Sequence, residues 1–194
     1  GVKRPNIGLL NPPYAQSKSD AELHELYFVK EMLDLLEKGG LGVAIIPVSC
    51  VISPNKAKSE ILEKHTLKAV MSMSSELFYP VGTVTCIVVF EAHKPHKETN
   101  KKTWFGYWRD DGYIKTKNMG RIDLNHQWQD IKSRWLEAFH NNEAHPGESV
   151  TAYVDADSEW IAEAYMETDY SKIKESEFLS LVRDYAMFKI LRDL

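Results

Sequence analysis

The sequence of 194 residues predicts an α/β fold, in which helices cover an open sheet. Apolar segments at residues 2–10 and 41–47 are typical of buried strands, and residues 20–38 between them repeat apolar side chains at helical spacing. Residues 83–91, rich in β-branched side chains, give the strongest strand signal of the chain. In such sheets a ligand crevice lies beyond the carboxyl ends of the strands.

The remaining elements of the first half follow from capping and breaker residues. Ser19 or Asp20 is a suitable N-cap for the first helix, which the Gly39-Gly40 pair ends. The pair Ser53-Pro54 begins a second helix that reaches residue 64, and residues 67–73 form a short strand. We therefore assign residues 1–92 to one domain, the later part of a sheet.

The second half, residues 93–194, is predicted to be a hairpin followed by a helical extension that contacts partners or DNA. Residues 103–108 and 113–117 flank an Asp-Asp-Gly turn and are interpreted as the two hairpin strands. Helical spacing returns at residues 124–139, where a stripe of tryptophans indicates core packing. Two more helices are predicted at residues 158–166 and 175–194.

Composition limits the classes of protein that this chain can represent. The net charge of −4 gives no overall nucleic-acid signature, so contact with DNA would need a local basic patch. Cys50 and Cys86 are isolated from each other and from histidines at ligand spacing, which predicts neither a disulfide framework nor a metal site. No apolar run approaches about 20 residues, so we predict a cytoplasmic protein without a membrane span.

The tetrapeptide Asn11-Pro12-Pro13-Tyr14 follows the first strand and is the main candidate site. The two prolines hold Asn11 and Pro12 extended, which leaves their carbonyls and the Asn11 amide oxygen as acceptors for a substrate NH2 group. Asn11 cannot take a proton at neutral pH, so the predicted chemistry is positioning with electrostatic stabilisation. Tyr14 offers a flat face on which a planar group can stack. A proline-stiffened surface turn is the alternative.

Two further segments carry candidate binding residues. Phe78 lies in the loop between two predicted strands on the crevice side, where it could sandwich a planar substrate opposite Tyr14 or pack on its own hairpin. The polar stretch at residues 93–102 is interpreted as a linker or mobile loop, and its lysines are candidate contacts to nucleic-acid phosphates or a solvated surface. These lysines are Lys94, Lys97, Lys101 and Lys102.

The order of these motifs resembles the later half of an N6-adenine DNA methyltransferase, and most narrowly the modification subunit of a type I restriction-modification system. The resemblance is carried by the tetrapeptide, by residues 35–47 and by residues 77–82 leading into the next strand. Residues 104–113 are similar to a segment that follows the catalytic sheet in those subunits. The resemblance covers about residues 1–140 and implies a Rossmann-like sheet of an S-adenosylmethionine-dependent methyltransferase.

The resemblance also implies roles for individual residues. Asn11 and Pro12 would bind the amino group of a flipped adenine, Tyr14 would stack on its ring, Pro13 would line the substrate pocket, and Asn11 would also face the cofactor. The glycine-rich loop that binds most of the S-adenosylmethionine precedes the tetrapeptide in the family and has no counterpart here. We therefore expect a fragment or half of a split enzyme, inactive alone, whose partners are DNA and the specificity and restriction subunits.

Two alternatives remain open from the sequence. The same pocket would serve a methyltransferase acting on a glutamine amide or on RNA, because each offers a planar NH2 group. The chain could instead be a noncatalytic assembly module that uses its last helices to hold a specificity subunit. The long segment after residue 91 favours a DNA methyltransferase over a glutamine-amide or RNA methyltransferase.

Overall fold

The computed structural model describes residues 3–14, 24–78, 82–167 and 174–192. It confirms the predicted α/β fold, with helices packed on both faces of a six-stranded sheet. The strands are β1 (Ile7–Leu10), β2 (Leu41–Pro47), β3 (Thr66–Met73), β4 (Thr85–Glu91), β5 (Thr103–Trp108), β6 (Ile114–Thr116), β7 (Gly120–Ile122) and β8 (Ser149–Ala152). The helices are α1 (Glu25–Leu35), α2 (Ser49–Ile52), α3 (Lys56–Lys64), α4 (His96–Thr99), α5 (Trp128–Asn141) and α6 (Glu175–Arg192), with a 3₁₀ turn at Ala162–Ala164.

The sheet has the strand order β1-β2-β4-β3-β5-β8. Strands β1 and β2 are parallel, as are β3 and β5, while β4 runs antiparallel between β2 and β3. The strands β1, β2, β3 and β5 therefore all end at one side of the sheet, which we call the carboxyl edge. We call the opposite side, where β3 and β5 begin and β4 ends, the amino edge.

Helix α1 packs one face of the sheet through an apolar stripe. Leu26, Val29 and Leu33 are fully buried, as their spacing along the predicted helix requires. Gly42 in β2 permits this approach, because a Cβ atom there would lie 2.4 Å from Leu33 Cδ2. Helix α1 thus contacts both β1 and β2, and β1 leads into the tetrapeptide.

Helix α5 packs against the other face and confirms the prediction that its tryptophans belong to a core. The Trp135 ring stacks on Trp108 of β5, with centroids 5.1 Å apart and planes 3° from parallel. Trp104 meets Phe139 edge to face at 5.5 Å. Such pairs add to the stabilisation that comes from burial alone.

The predicted hairpin was wrong in its first strand. Residues 103–108 form β5, which pairs in parallel with β3, and the hairpin is instead formed by β6 and β7. The sequence shows a strand but not its partner, because pairing with β3 depends on residues more than thirty positions away. Strand β8, within and just beyond a segment interpreted as a polar loop, was missed because it has only four residues.

Strands from both sides of position 92 belong to one sheet. The predicted domain boundary between residues 92 and 93 stays a prediction. The basic stretch contains the short helix α4, and Asn100 closes it in the left-handed region at φ 45°. The helix predicted at residues 158–166 is a single 3₁₀ turn. Within the described residues, no helix has the length and apolarity needed to cross a membrane.

Candidate active site

The tetrapeptide lies at the carboxyl edge, directly after the last residue of β1. Asn11 and Pro13 are exposed, Pro12 is buried and Tyr14 is half-buried. Burial of Pro12 anchors the turn, whereas exposure of Asn11 leaves its amide accessible. The structure thus places the predicted acceptor at the carboxyl edge of the sheet and the predicted stacking residue beside it.

Tyr14 and Asn11 are joined by a hydrogen bond. The Tyr14 hydroxyl donates to Asn11 Oδ1 over 3.4 Å. Burial raises the pKa of the Tyr14 hydroxyl, and the Glu25 carboxylate raises it further, so the phenol keeps its proton at neutral pH. The long hydrogen bond holds the amide with its oxygen toward Tyr14 and leaves acceptor capacity on that oxygen, since an amide oxygen has two lone pairs.

A polar cluster, formed by the buried Glu25 and Cys50 with the half-buried His24, contributes to the surroundings of Tyr14. Cys50 Sγ donates to Glu25 Oε2 at 3.3 Å, and His24 Nδ1 accepts from the backbone N–H of Leu26. The ligating atoms of the three side chains lie within 4.8 Å of one another. Burial raises the pKa of the Cys50 thiol, which therefore stays protonated. The cluster was missed because α1 and α2 bring these residues together only in the fold.

Phe78 is placed where the sequence predicted, in the connection from β3 to β4 at the carboxyl edge. Its side chain is half-buried. The neighbouring residues 79–81 lie outside the described part of the chain. A sandwich between Phe78 and Tyr14 therefore stays a prediction.

The predicted phosphate-binding lysines lie far from the tetrapeptide, at the amino edge. Lys94 follows β4, and Lys101 and Lys102 precede β5. The eight residues of β3 separate the two edges by about 23 Å at the usual rise of a strand. Lys97 faces a different cleft of about 610 Å³, whose lining includes the acidic residues Glu63, Glu98, Asp155 and Asp157. The structure does not bring these lysines together with Asn11 and Tyr14.

A second polar network at the carboxyl edge was also missed. Glu163, on the 3₁₀ turn, accepts a hydrogen bond of 2.5 Å from Ser72 near the end of β3. Arg109, just after β5, donates from Nε to the same carboxylate at 2.8 Å. Glu163 thus ties the 3₁₀ turn to the ends of both strands. No sequence spacing could reveal this contact, since the partners are 54 and 91 residues apart.

The chain is similar in sequence to known proteins. Residues 10–187 match the family model described as N-6 DNA Methylase. The type II restriction enzyme and methyltransferase RM.BcgI of Heyndrickxia coagulans is 38% identical over 120 residues, which represent 59% of this chain and 19% of that protein.

Solved structures share the fold. The methyltransferase subunit of a type I restriction-modification system from Streptococcus thermophilus superposes with a TM-score of 0.61 at 15% identity, covering 84% of this chain and 38% of that one. A chain from a structure on type I restriction-modification assembly gives 0.59 at 15% identity, covering 98% of this chain and 44% of the other. The chain thus spans less than half the length of these relatives.

Proposed function

We propose a function for this chain, which belongs to the N-6 DNA methylase family. It forms the part of a site-specific, adenine-specific DNA methyltransferase that binds the target base, in a restriction-modification system. The observation that carries the proposal is the tetrapeptide at the end of β1, with the exposed Asn11 amide accepting from the protonated Tyr14. A neutral acceptor beside an aromatic ring suits a planar group that bears an NH2. Its relatives act in restriction-modification, which supports DNA as the substrate.

The proposed mechanism is positioning. The adenine leaves the duplex, because its amino group is inaccessible within the stack, and its ring lies against Tyr14 with Phe78 on the other face. Asn11 Oδ1 and the Pro12 carbonyl accept from the two N6 hydrogens. These bonds favour a pyramidal nitrogen whose lone pair can attack, and the neutral Asn11 amide does not compete as a base.

S-adenosylmethionine would supply the methyl carbon, leaving as S-adenosylhomocysteine once the N–C bond forms. The acceptors at this corner are uncharged amide and carbonyl oxygens, which fit a cationic sulfonium as well as an amine. The displaced N6 proton would pass to water after transfer, since Asn11 cannot hold it. Of the residues in this chain, we assign only Asn11 to the side of the pocket that faces the cofactor.

The rest of the cofactor site would lie on strands that continue the sheet beyond β1. Ile7 and Leu9 on β1 are 65% and 77% exposed, although both are large apolar residues. Strand β1 is an edge strand, so further strands can pair with its free side, and elements packed on the same face of the sheet would cover the two apolar side chains. We propose that the glycine-rich loop belongs to those strands.

Helix α6 is the proposed contact to a specificity subunit. Its eighteen residues form a helix about 27 Å long, and every side chain described in it is exposed. The large apolar side chains are between 48% and 64% exposed: Phe178, Leu179, Leu181, Val182, Tyr185, Met187, Phe188 and Ile190. Apolar exposure of this extent marks a binding surface for another protein, and the restriction subunit would join the same assembly.

Methyl transfer to DNA tests the proposal. The full-length natural polypeptide, assembled with its partner subunits, is given tritiated S-adenosylmethionine and DNA. Asn11→Ala should lower the transfer rate by at least about a hundredfold, the loss typical of removing one preorganised hydrogen-bonding group. Asn6→Ala, at the exposed start of β1, is the matched control and should keep wild-type rates.

Three results would contradict this proposal. Wild-type rates with Asn11→Ala would remove the catalytic role of the tetrapeptide. Transfer to protein or RNA but not to DNA would favour the glutamine-amide or RNA alternative. An intact assembly that binds DNA without any methyl transfer would favour the noncatalytic module.

A further inference from the structure

Four lysines from three parts of the chain line one cleft at the amino edge, which we call the lysine cleft. Lys68 comes from β3, Lys94 follows β4, and Lys101 and Lys102 precede β5. The cleft has a volume of about 660 Å³. This volume lies within the usual range of about 300–1,000 Å³ for small-molecule sites.

Lys68 reaches the cleft through an irregularity in a central strand. The pairing of β3 with β4 shifts register between Leu67 and Ala69, both of which are buried, while Lys68 between them is exposed. Bulges of this kind redirect a side chain and are often found next to functional sites. The charged side chain of Lys68, although it belongs to the interior strand β3, is thereby available at the surface.

The charge of the cleft is unbalanced. Its lining contains four lysines and one carboxylate, Glu91, although the chain as a whole carries a net charge of −4. Glu91 pairs with Lys94 at 3.5 Å, and Lys102 lies over the Tyr153 ring at 5.6 Å. Lysines that share one cleft lie within about a Debye length, so they repel one another until an anion offsets their charge.

The walls of the cleft combine apolar and polar groups. Leu67, Trp104 and Phe139 supply apolar surface, and His140 and Asn142 lie at the carboxyl end of α5. The loop that carries two of the lysines is fixed, because the Thr99 hydroxyl donates to the His96 carbonyl and accepts from the N–H of Lys101. A fixed rim requires less ordering when a ligand binds.

We propose that the lysine cleft binds an oligophosphate, carried either by a nucleotide or by a nucleic-acid backbone. This proposal goes beyond methyl transfer and does not depend on it. The cleft lies about 23 Å from the carboxyl edge, so a nucleotide whose base contacts the tetrapeptide cannot place its own phosphate there. The lysine cleft is therefore separate from the proposed target-base site, and Lys97 is not part of it.

Calorimetric titration of the full-length polypeptide at low ionic strength tests the site. The probes are inorganic tripolyphosphate, ATP and a short single-stranded oligonucleotide, each without methyl donor so that binding is measured separately from methyl transfer. We expect saturable binding with a dissociation constant below about 100 µM for at least one probe. Tighter binding of ATP than tripolyphosphate assigns a nucleotide, and tightest binding of the oligonucleotide assigns a nucleic-acid backbone.

Charge-reversal variants locate the binding. Lys68→Glu and Lys101→Glu should each weaken it at least about tenfold, since each loses a charge-assisted contact and adds repulsion. Lys68→Gln, which removes the charge with a smaller change at the bulge, should give a smaller loss in the same direction. Lys38→Glu, at an exposed lysine outside the cleft, should leave binding within about twofold of wild type.

The proposal is overturned by either of two results. One is the lack of saturable binding for all three probes with a wild-type protein that unfolds cooperatively. The other is an equal loss with Lys38→Glu and Lys101→Glu, which would mean that the probes respond to overall charge and not to the cleft.

Discussion

The two edges of the sheet differ in how their polar groups are held, although the same strands produce both. At the carboxyl edge Asn11 and Tyr14 are uncharged at neutral pH, joined by a hydrogen bond and supported by buried neighbours. At the amino edge Lys68, Lys101 and Lys102 are exposed and charged. Neutral, fixed groups suit a reaction that depends on geometry, whereas exposed lysines suit the attraction of anions, which salt weakens.

The largest effect that tests this comparison is expected at Tyr14. Tyr14→Ala removes the stacking surface and should lower the rate of methyl transfer about a hundredfold, in line with the free energy of one base–aromatic stack. Tyr14→Phe keeps the ring and loses only the long hydrogen bond to Asn11, so a loss below about tenfold is expected. Single-turnover rates at two salt concentrations measure both. Equal losses in the two variants would mean that the hydroxyl matters more than the ring.

Acidic pH should destabilise the fold through a histidine at the amino edge. At the carboxyl edge, the Asn11 amide and the Tyr14 phenol do not change their protonation state below neutral pH. His65, fully buried where α3 meets β3, accepts from the N–H of His93, and its Nε2 lies 3.4 Å from Asp34 Oδ1. Burial lowers the pKa of His65 to about 4. It outweighs the attraction of the Asp34 carboxylate, and the positive charges of His93 and Lys64 lower the pKa further.

The unfolded chain binds this proton below about pH 6.5, but the folded chain does not until about pH 4, so stability falls as the pH drops through that window. We expect a loss of about 3 kcal/mol in the free energy of unfolding across this window. Denaturant unfolding at several pH values measures it, and His65→Gln should flatten the dependence. Burial also lowers the pKa of His96, which leaves some residual slope. An unchanged slope in His65→Gln would refute the assignment to His65.

The smallest effect is expected at Lys97, which the sequence groups with the other basic residues of its segment. Because its side chain lines the acidic cleft, Lys97→Glu should change oligophosphate binding by less than about twofold, against about tenfold for Lys101→Glu. The same titrations provide the comparison. A loss with Lys97→Glu that matches Lys101→Glu would mean that the whole segment binds phosphate, as the sequence alone suggested.

Local pattern predicted much of the first half of the fold. The bounds of β2 were predicted without error, because a continuous apolar run between a Gly-Gly pair and Pro47 defines both ends. Strand β4 was placed within two residues by its β-branched content. The tetrapeptide was expected at a strand end, and the structure places it there, after β1.

Only the tertiary structure decided which distant groups meet. The partner of β5, the contact of Glu163 with Ser72 and Arg109, and the cluster around Cys50 each join residues 25 or more positions apart. Sequence patterns report burial and local backbone preference, which neighbours along the chain determine. The separation of Lys94 and Lys97 into two clefts, and the exposure of Lys68 at a bulge, depend on the pairing of strands and on the course of the loops between them. The sequence therefore predicted a chemistry for the tetrapeptide and its place at a strand end, whereas the fold set its distance from the lysines.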